Sequence, residues 1–294
     1  MANIPAALAL MVNAFAWGVS WWPFRQLQDM GLHPLWATAM VYLVALLVLL
    51  AWRPGSWLSM RQFPGLWGLA LAAGLTNVGF NWAVTAGDVV RVVLLFYLMP
   101  AWVVVLAWPL LGEKPGKGAL MRLALALTGV VVVLKTPEVA WPWPESLPDW
   151  LGLMGGAAFA LTNILLRKLN HAPQSASMLA MFGGGTVTTV AIAVLGMQLG
   201  LVTSLPSVQL HWLLWVGGLS LFILAGNVGL QYGATRLSAN ATSVIMLSEI
   251  IFASGSAVLL GASEVTPRIL IGAMLILAAA ILSALHTPAE SSPG

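Results

Sequence analysis

Glu249 is the one ionisable residue near the middle of any long apolar run in this chain, with Leu247 before it and Ile250-Ile251 after it. A charge at bilayer depth costs about 2.5–3.5 kcal/mol on insertion scales, so such a group faces a protein interior or an aqueous cavity. Its chemistry is to exchange a proton or to pair with a cation. The plainer alternative is a permanently protonated carboxyl bonded to a neighbouring helix. Ser256, seven residues on, falls on the same helix face. Asn77 and Asn81 are spaced i, i+4, and so are Asn227 and Gln231, which puts each pair on one face. Such pairs either line two polar vestibules, one at each membrane side, or join helices at about 0.6 kcal/mol per bond. Asn13 and Trp17 share a face with Ser20 or Trp21, and Asn163 is expected to play the corresponding part later in the chain. Pro100 cannot donate an amide and clashes with the Phe96 carbonyl, so a kink is expected there with Tyr97 beside the freed carbonyl. A phenol at a kinked helix is a candidate binding wall.

Several chemistries are missing. The chain has no Cys, which removes disulfides, thiolate metal sites and a Cys nucleophile. Gly112-Glu113-Lys114-Pro115-Gly116-Lys117-Gly118 is not a phosphate-binding loop, because its spacing is short and no Ser or Thr follows the Lys; no ATPase activity and no ATPase subunit are expected. An intramembrane protease needs a His base or two Asp at bilayer depth, whereas His33, His171, His211 and His286 fall in loops or at helix ends, so the chain reads as no enzyme. No metal site and no cofactor are expected. Arg91 reads as a residue snorkelling from a helix end, and without a cation in the cavity strongly anionic substrates are disfavoured.

The elements that position these residues follow from composition. Of 294 residues, 60% are apolar and 7% charged, against roughly 25% charged in an ordinary soluble domain. With a mean hydropathy of +0.93, lipid must be the solvent. A pI near 9.6 accompanies a net charge of only +3 and no basic run, so no nucleic-acid partner is expected. A span needs about 20 apolar residues, and ten such segments begin near Ile4, Pro34, Gly65, Val89, Gly118, Trp150, Ser177, Leu210, Asn240 and Arg268. Unbroken runs such as Trp36 to Trp52 exclude barrel strands, leaving an all-α integral membrane protein. The first segment lacks a preceding Lys or Arg and a small-residue cleavage site, and is read as retained. One side of the predicted membrane carries Arg53, Arg61, Lys114, Lys117, Arg122, Arg167, Lys168 and Arg236; the other carries Arg25, Arg91, Lys135 and Arg268. The basic side is cytoplasmic by the positive-inside rule, and both termini lie on it. The connection from Thr136 to Asp149, with Trp141-Pro142-Trp143-Pro144, then lies outside as an interfacial lid.

The chain also repeats. Ala14-Phe15-Ala16 returns as Ala158-Phe159-Ala160, and Asn77-Val78-Gly79-Phe80-Asn81-Trp82 returns as Asn227-Val228-Gly229-Leu230-Gln231-Tyr232, with Thr85 matched by Thr235. Leu111-Gly112-Glu113 corresponds to Leu260-Gly261 with Glu264. Five helices per copy force opposite orientations, hence two inverted five-helix repeats, 1–144 and 145–294, a transporter architecture. With Pro100 and the Gly-Glu endings, the chain resembles the ten-helix, EamA-type members of the drug/metabolite transporter superfamily, most of all bacterial aromatic amino acid exporters. It departs from their pattern in having Glu249-Ile250 where the second copy would place Met-Pro. The resemblance implies an inner-membrane secondary transporter exporting amino acids and similar small amphipathic solutes. Efflux of lipophilic cations with Glu249 as counter-ion, and a lipid-handling or scaffold protein without turnover, are the alternatives.

Overall fold

The computed structural model describes residues 4–112, 114–135, 143–234, 236–237, 242 and 245–285; Glu113, Trp141 and Pro142 lie outside them, as does the side chain of Gln231. The described residues form helices and no strands: α1 (Ile4–Val19), α2 (Trp21–Asp29), α3 (Pro34–Trp52), α4 (Ser56–Gln62), α5 (Gly65–Ala86), α6 (Val89–Phe96), α7 (Met99–Leu111), α8 (Lys117–Leu134), α9 (Leu147–Lys168), α10 (Gln174–Gln198), α11 (Leu210–Ala234), α12 (Ser248–Leu259) and α13 (Pro267–Leu285).

Seven stretches among the described residues are long and apolar enough to cross a membrane, and an eighth arises if α4 and α5, bent by 113°, are counted together. The ten spans expected from hydropathy therefore exceed what length and composition alone establish here. Asn77 and Asn81 dilute the apolar character of α5. The helix that carries Glu249, Ser248–Leu259, and α13 both fall among the shorter apolar helices. Large apolar residues stand exposed along the helices, Leu47, Leu195, Leu214 and Ile251 among them, which lipid tolerates and water does not.

Local chemistry sets the breaks. Asp88 caps α6 by accepting from the Arg91 N–H at 2.8 Å, and Ser146 caps α9 from the Asp149 N–H at 3.3 Å. Gly112 ends α7 at a φ of +74°, the left-handed region that favours glycine. Pro100 lies in the first turn of α7, and α6 stops at Phe96. The kink expected at Pro100 is thus a break over Tyr97-Leu98. With proline four residues on, the Phe96 carbonyl loses its usual helical donor, and it packs on Gly156 of α9, where a β-carbon would sit 2.5 Å from that oxygen.

α5 packs against α9 and α10, α1 against α11 and α12, α3 against α10, α8 against α13, and α6 and α7 against α9. Glycines make the crossings close. Gly79 meets the backbone of Gly155, Gly229 the Ala9 carbonyl, and Gly184 the Ala70 carbonyl, so the small-residue stretches serve packing.

Candidate functional site

The α6–α7 break turns the Tyr97 hydroxyl toward α12. It donates to Glu249 Oε2 at 3.0 Å, a bond between residues 152 positions apart. Tyr97 is buried and Glu249 half-buried. Glu249 lies in the first turn of α12, just after the turn at Leu247, as Pro100 follows the turn at Leu98. α1 closes on this place: a β-carbon on Gly18 would stand 2.9 Å from the Glu249 carbonyl oxygen. A void of about 10 Å³ beside Tyr97 and Pro100 has room for roughly one water. Asn163 lies on α9 near the start of α7, with its amide nitrogen donating to the Phe159 carbonyl at 3.0 Å and 3.9 Å from the Met99 sulfur. Tyr97, Pro100 and Glu249 are therefore brought together, with Asn163 next to them through Met99.

The other candidates lie elsewhere. Asn77 accepts the Tyr42 hydroxyl and donates to the Ala73 carbonyl at 2.8 Å. Asn81 donates to Thr38 Oγ1 at 3.1 Å. Tyr42 and Thr38 are one turn apart on α3, so the pair forms a two-rung ladder between α3 and α5. Asn77→Leu would strand the buried Tyr42 hydroxyl, at a cost of about 1–3 kcal/mol. Thermal unfolding should show that loss, and adding Tyr42→Phe should recover most of it. Asn13 is fully buried against α11 beside Gly226, and neither amide atom has a partner among the described residues. Trp17 packs against both apolar clusters of the core, and Asn227 is half-buried on α11. Ser256 accepts from the Trp21 indole at 2.9 Å and donates to the Ala253 carbonyl at 3.1 Å.

Arg91 is not a snorkelling side chain. It grips Asp149 with Nε to Oδ1 at 2.7 Å and Nη2 to Oδ2 at 2.9 Å, and reaches the Val133 carbonyl at 3.3 Å. A fork of donors facing a nearly buried carboxylate is preferred over a solvated head. The same end of the bundle is tied by Arg25 to the Gly87 carbonyl and by Arg268 to the Lys135 carbonyl at 2.7 Å. Two opposite charges next to predicted helix starts were the signal for this pair.

No curated protein matches the chain. Solved structures share the fold, among them one titled "Crystal structure of protein" that is 18% identical, with a TM-score of 0.57 over 95% of this chain and 97% of that one. Residues 4–135 match the model of the EamA-like transporter family, and the match ends one residue beyond α8. Together with the apolar helices, that match makes this a multi-pass membrane protein whose first half is similar to the EamA-like transporter family.

Proposed function

We propose that the chain is a secondary transporter that exports aromatic and other neutral amino acids and similar small amphipathic solutes by alternating access. In this reading it has ten spans in two inverted halves, 1–144 and 145–294, and sits in a bacterial inner membrane with both termini cytoplasmic. The match of residues 4–135 to a transporter family carries the reading. The packing supports the inverted halves. Exchanging each span with the one five later turns α5 on α9 into α11 on α1, α5 on α10 into α11 on α3, and α6–α7 on α9 into α12 on α1. The α3–α10, α6–α12 and α8–α13 contacts map onto themselves. At the last of these Gly129 and Gly272 are reciprocal: a β-carbon on either would stand 2.9 Å from the carbonyl oxygen of the other. Tyr97 and Glu249 then belong to opposite halves, as a binding pair shared between two rocking bodies should.

The test is reconstitution. Liposomes holding the protein should show counterflow of labelled phenylalanine at two pH values, and its absence with folded protein removes the amino-acid reading. Binding of tetraphenylphosphonium favours the lipophilic-cation alternative. That reading draws on Glu249 having the Tyr97 hydroxyl as its side-chain partner and no ion pair among the described residues. Orientation is checked separately in this Cys-free chain. A Cys in place of Glu145, which is exposed, should label from outside intact cells; labelling from the cytoplasmic side alone reverses the topology.

A further inference from the structure

Between α11 and α12, with α1 and α2 as its floor, lies a cleft of about 700 Å³, within the range of sites that enclose small molecules. Its walls are aromatic and meet edge to face. Trp22 and Trp215 have centroids 5.4 Å apart at 68°, and Phe15 and Phe222 6.1 Å apart at 88°. An edge-to-face pair covers a face of only one of its rings, and although Phe15 also meets Phe252 at 5.3 Å and 89°, Trp22 and Phe15 remain 39% and 42% exposed. A flat ring system is the shape that stacks on these faces.

The polar lining decides the rest. Among the described residues no Lys, Arg, Asp or Glu lines the cleft; Ser256 and His211 supply its polar side chains apart from the indoles. Ser256 spends its proton on the Ala253 carbonyl and one lone pair on the Trp21 indole, which leaves one acceptor site. An ammonium or carboxylate placed there would be desolvated without a counter-charge. Leu214 of α11 and Leu260, the residue that caps α12, line the cleft and are exposed apolar side chains, as a face toward lipid would present.

We propose that this cleft binds uncharged planar aromatic molecules carrying one hydrogen-bond donor, taken up from the lipid side. It shares only Ser256 with the transport residues proposed above and stands on binding alone, whether or not amino acids are exported.

Full-length protein in nanodiscs is titrated with 5-fluoroindole and followed by ¹⁹F NMR, with empty nanodiscs as reference and 5-fluorotryptophan as the zwitterionic counterpart. Saturable broadening beyond the empty discs is expected for fluoroindole, with fluorotryptophan binding much more weakly. A β-carbon on Gly218 meets nothing within 4 Å, so Gly218→Leu should fill the cleft without disturbing its walls. It should weaken fluoroindole by at least about tenfold at unchanged thermal stability. Ser256→Ala, which removes the acceptor, should weaken it by about two- to tenfold. Absence of saturable broadening, the result if an acyl chain fills the cleft, overturns the proposal. So does wild-type affinity in both variants, or fluorotryptophan binding as tightly as fluoroindole.

Discussion

Proteoliposomes carrying Glu249→Gln are expected to lose pH-driven accumulation of solute by about tenfold or more while retaining downhill exchange. The Tyr97 hydroxyl donates to Glu249 Oε2 at 3.0 Å, and an amide oxygen accepts the same bond. The substitution therefore keeps shape and partner and removes only the titrating proton. Its charged form is tolerated at this depth where water or a cation reaches it, and the space between the two proposed halves is where either arrives. Tyr97→Phe is the complement: it leaves the carboxyl and deletes its donor, so the pH profile should shift while accumulation persists. A Glu249→Gln protein with wild-type rate and wild-type pH dependence would make Glu249 a neutral structural group, and proton coupling through it would be abandoned. A wild-type protein indifferent to a pH gradient would mean facilitated movement.

The second large effect is on stability. Arg91 and Asp149 form a bidentate pair whose side chains are 18% and 3% exposed. Removing one partner of a buried pair costs about 3–5 kcal/mol because the other charge is left unpaired, and the exposure of Arg91 places this pair at the lower end. Arg91→Met, which strands the nearly buried carboxylate, should cost about 3 kcal/mol in thermal or denaturant unfolding. Asp149→Asn, which strands the more accessible guanidinium, should cost less. The double change Arg91→Met with Asp149→Leu should recover most of the loss, since two apolar side chains need no counter-charge. If both single variants stay within about 0.5 kcal/mol of wild type, the pair behaves as an exposed one and does not hold this end of the bundle.

Glu249 and Pro100 could be read from the sequence because their energetics are local. An acid in an apolar run is costly whatever surrounds it, and a proline breaks its own helix wherever that helix lies. The helix faces of Asn77 and Asn81 were legible for the same reason, while their partners were not. Both amides reach α3, through Tyr42 and Thr38, 35 and 43 positions away. Arg91 was visible as a charge at a helix start, and its destination, 58 residues on, was not.

What the sequence by itself determined is that the chain forms long apolar helices and that one of them breaks before Pro100. In lipid each helix must satisfy its own backbone hydrogen bonds, so an apolar run is helical whatever it later packs against. Only the tertiary structure decided that Tyr97 meets Glu249, that Arg91 is paired with Asp149, that Asn77 and Asn81 are joined to α3, and that Phe15, Trp22, Trp215 and Phe222 enclose one cleft. Between helices in lipid, partners are chosen by close packing and by the need to satisfy each buried polar atom. Those demands depend on shape across many positions, as where Gly156 admits the Phe96 carbonyl, and no local pattern in the chain encodes them.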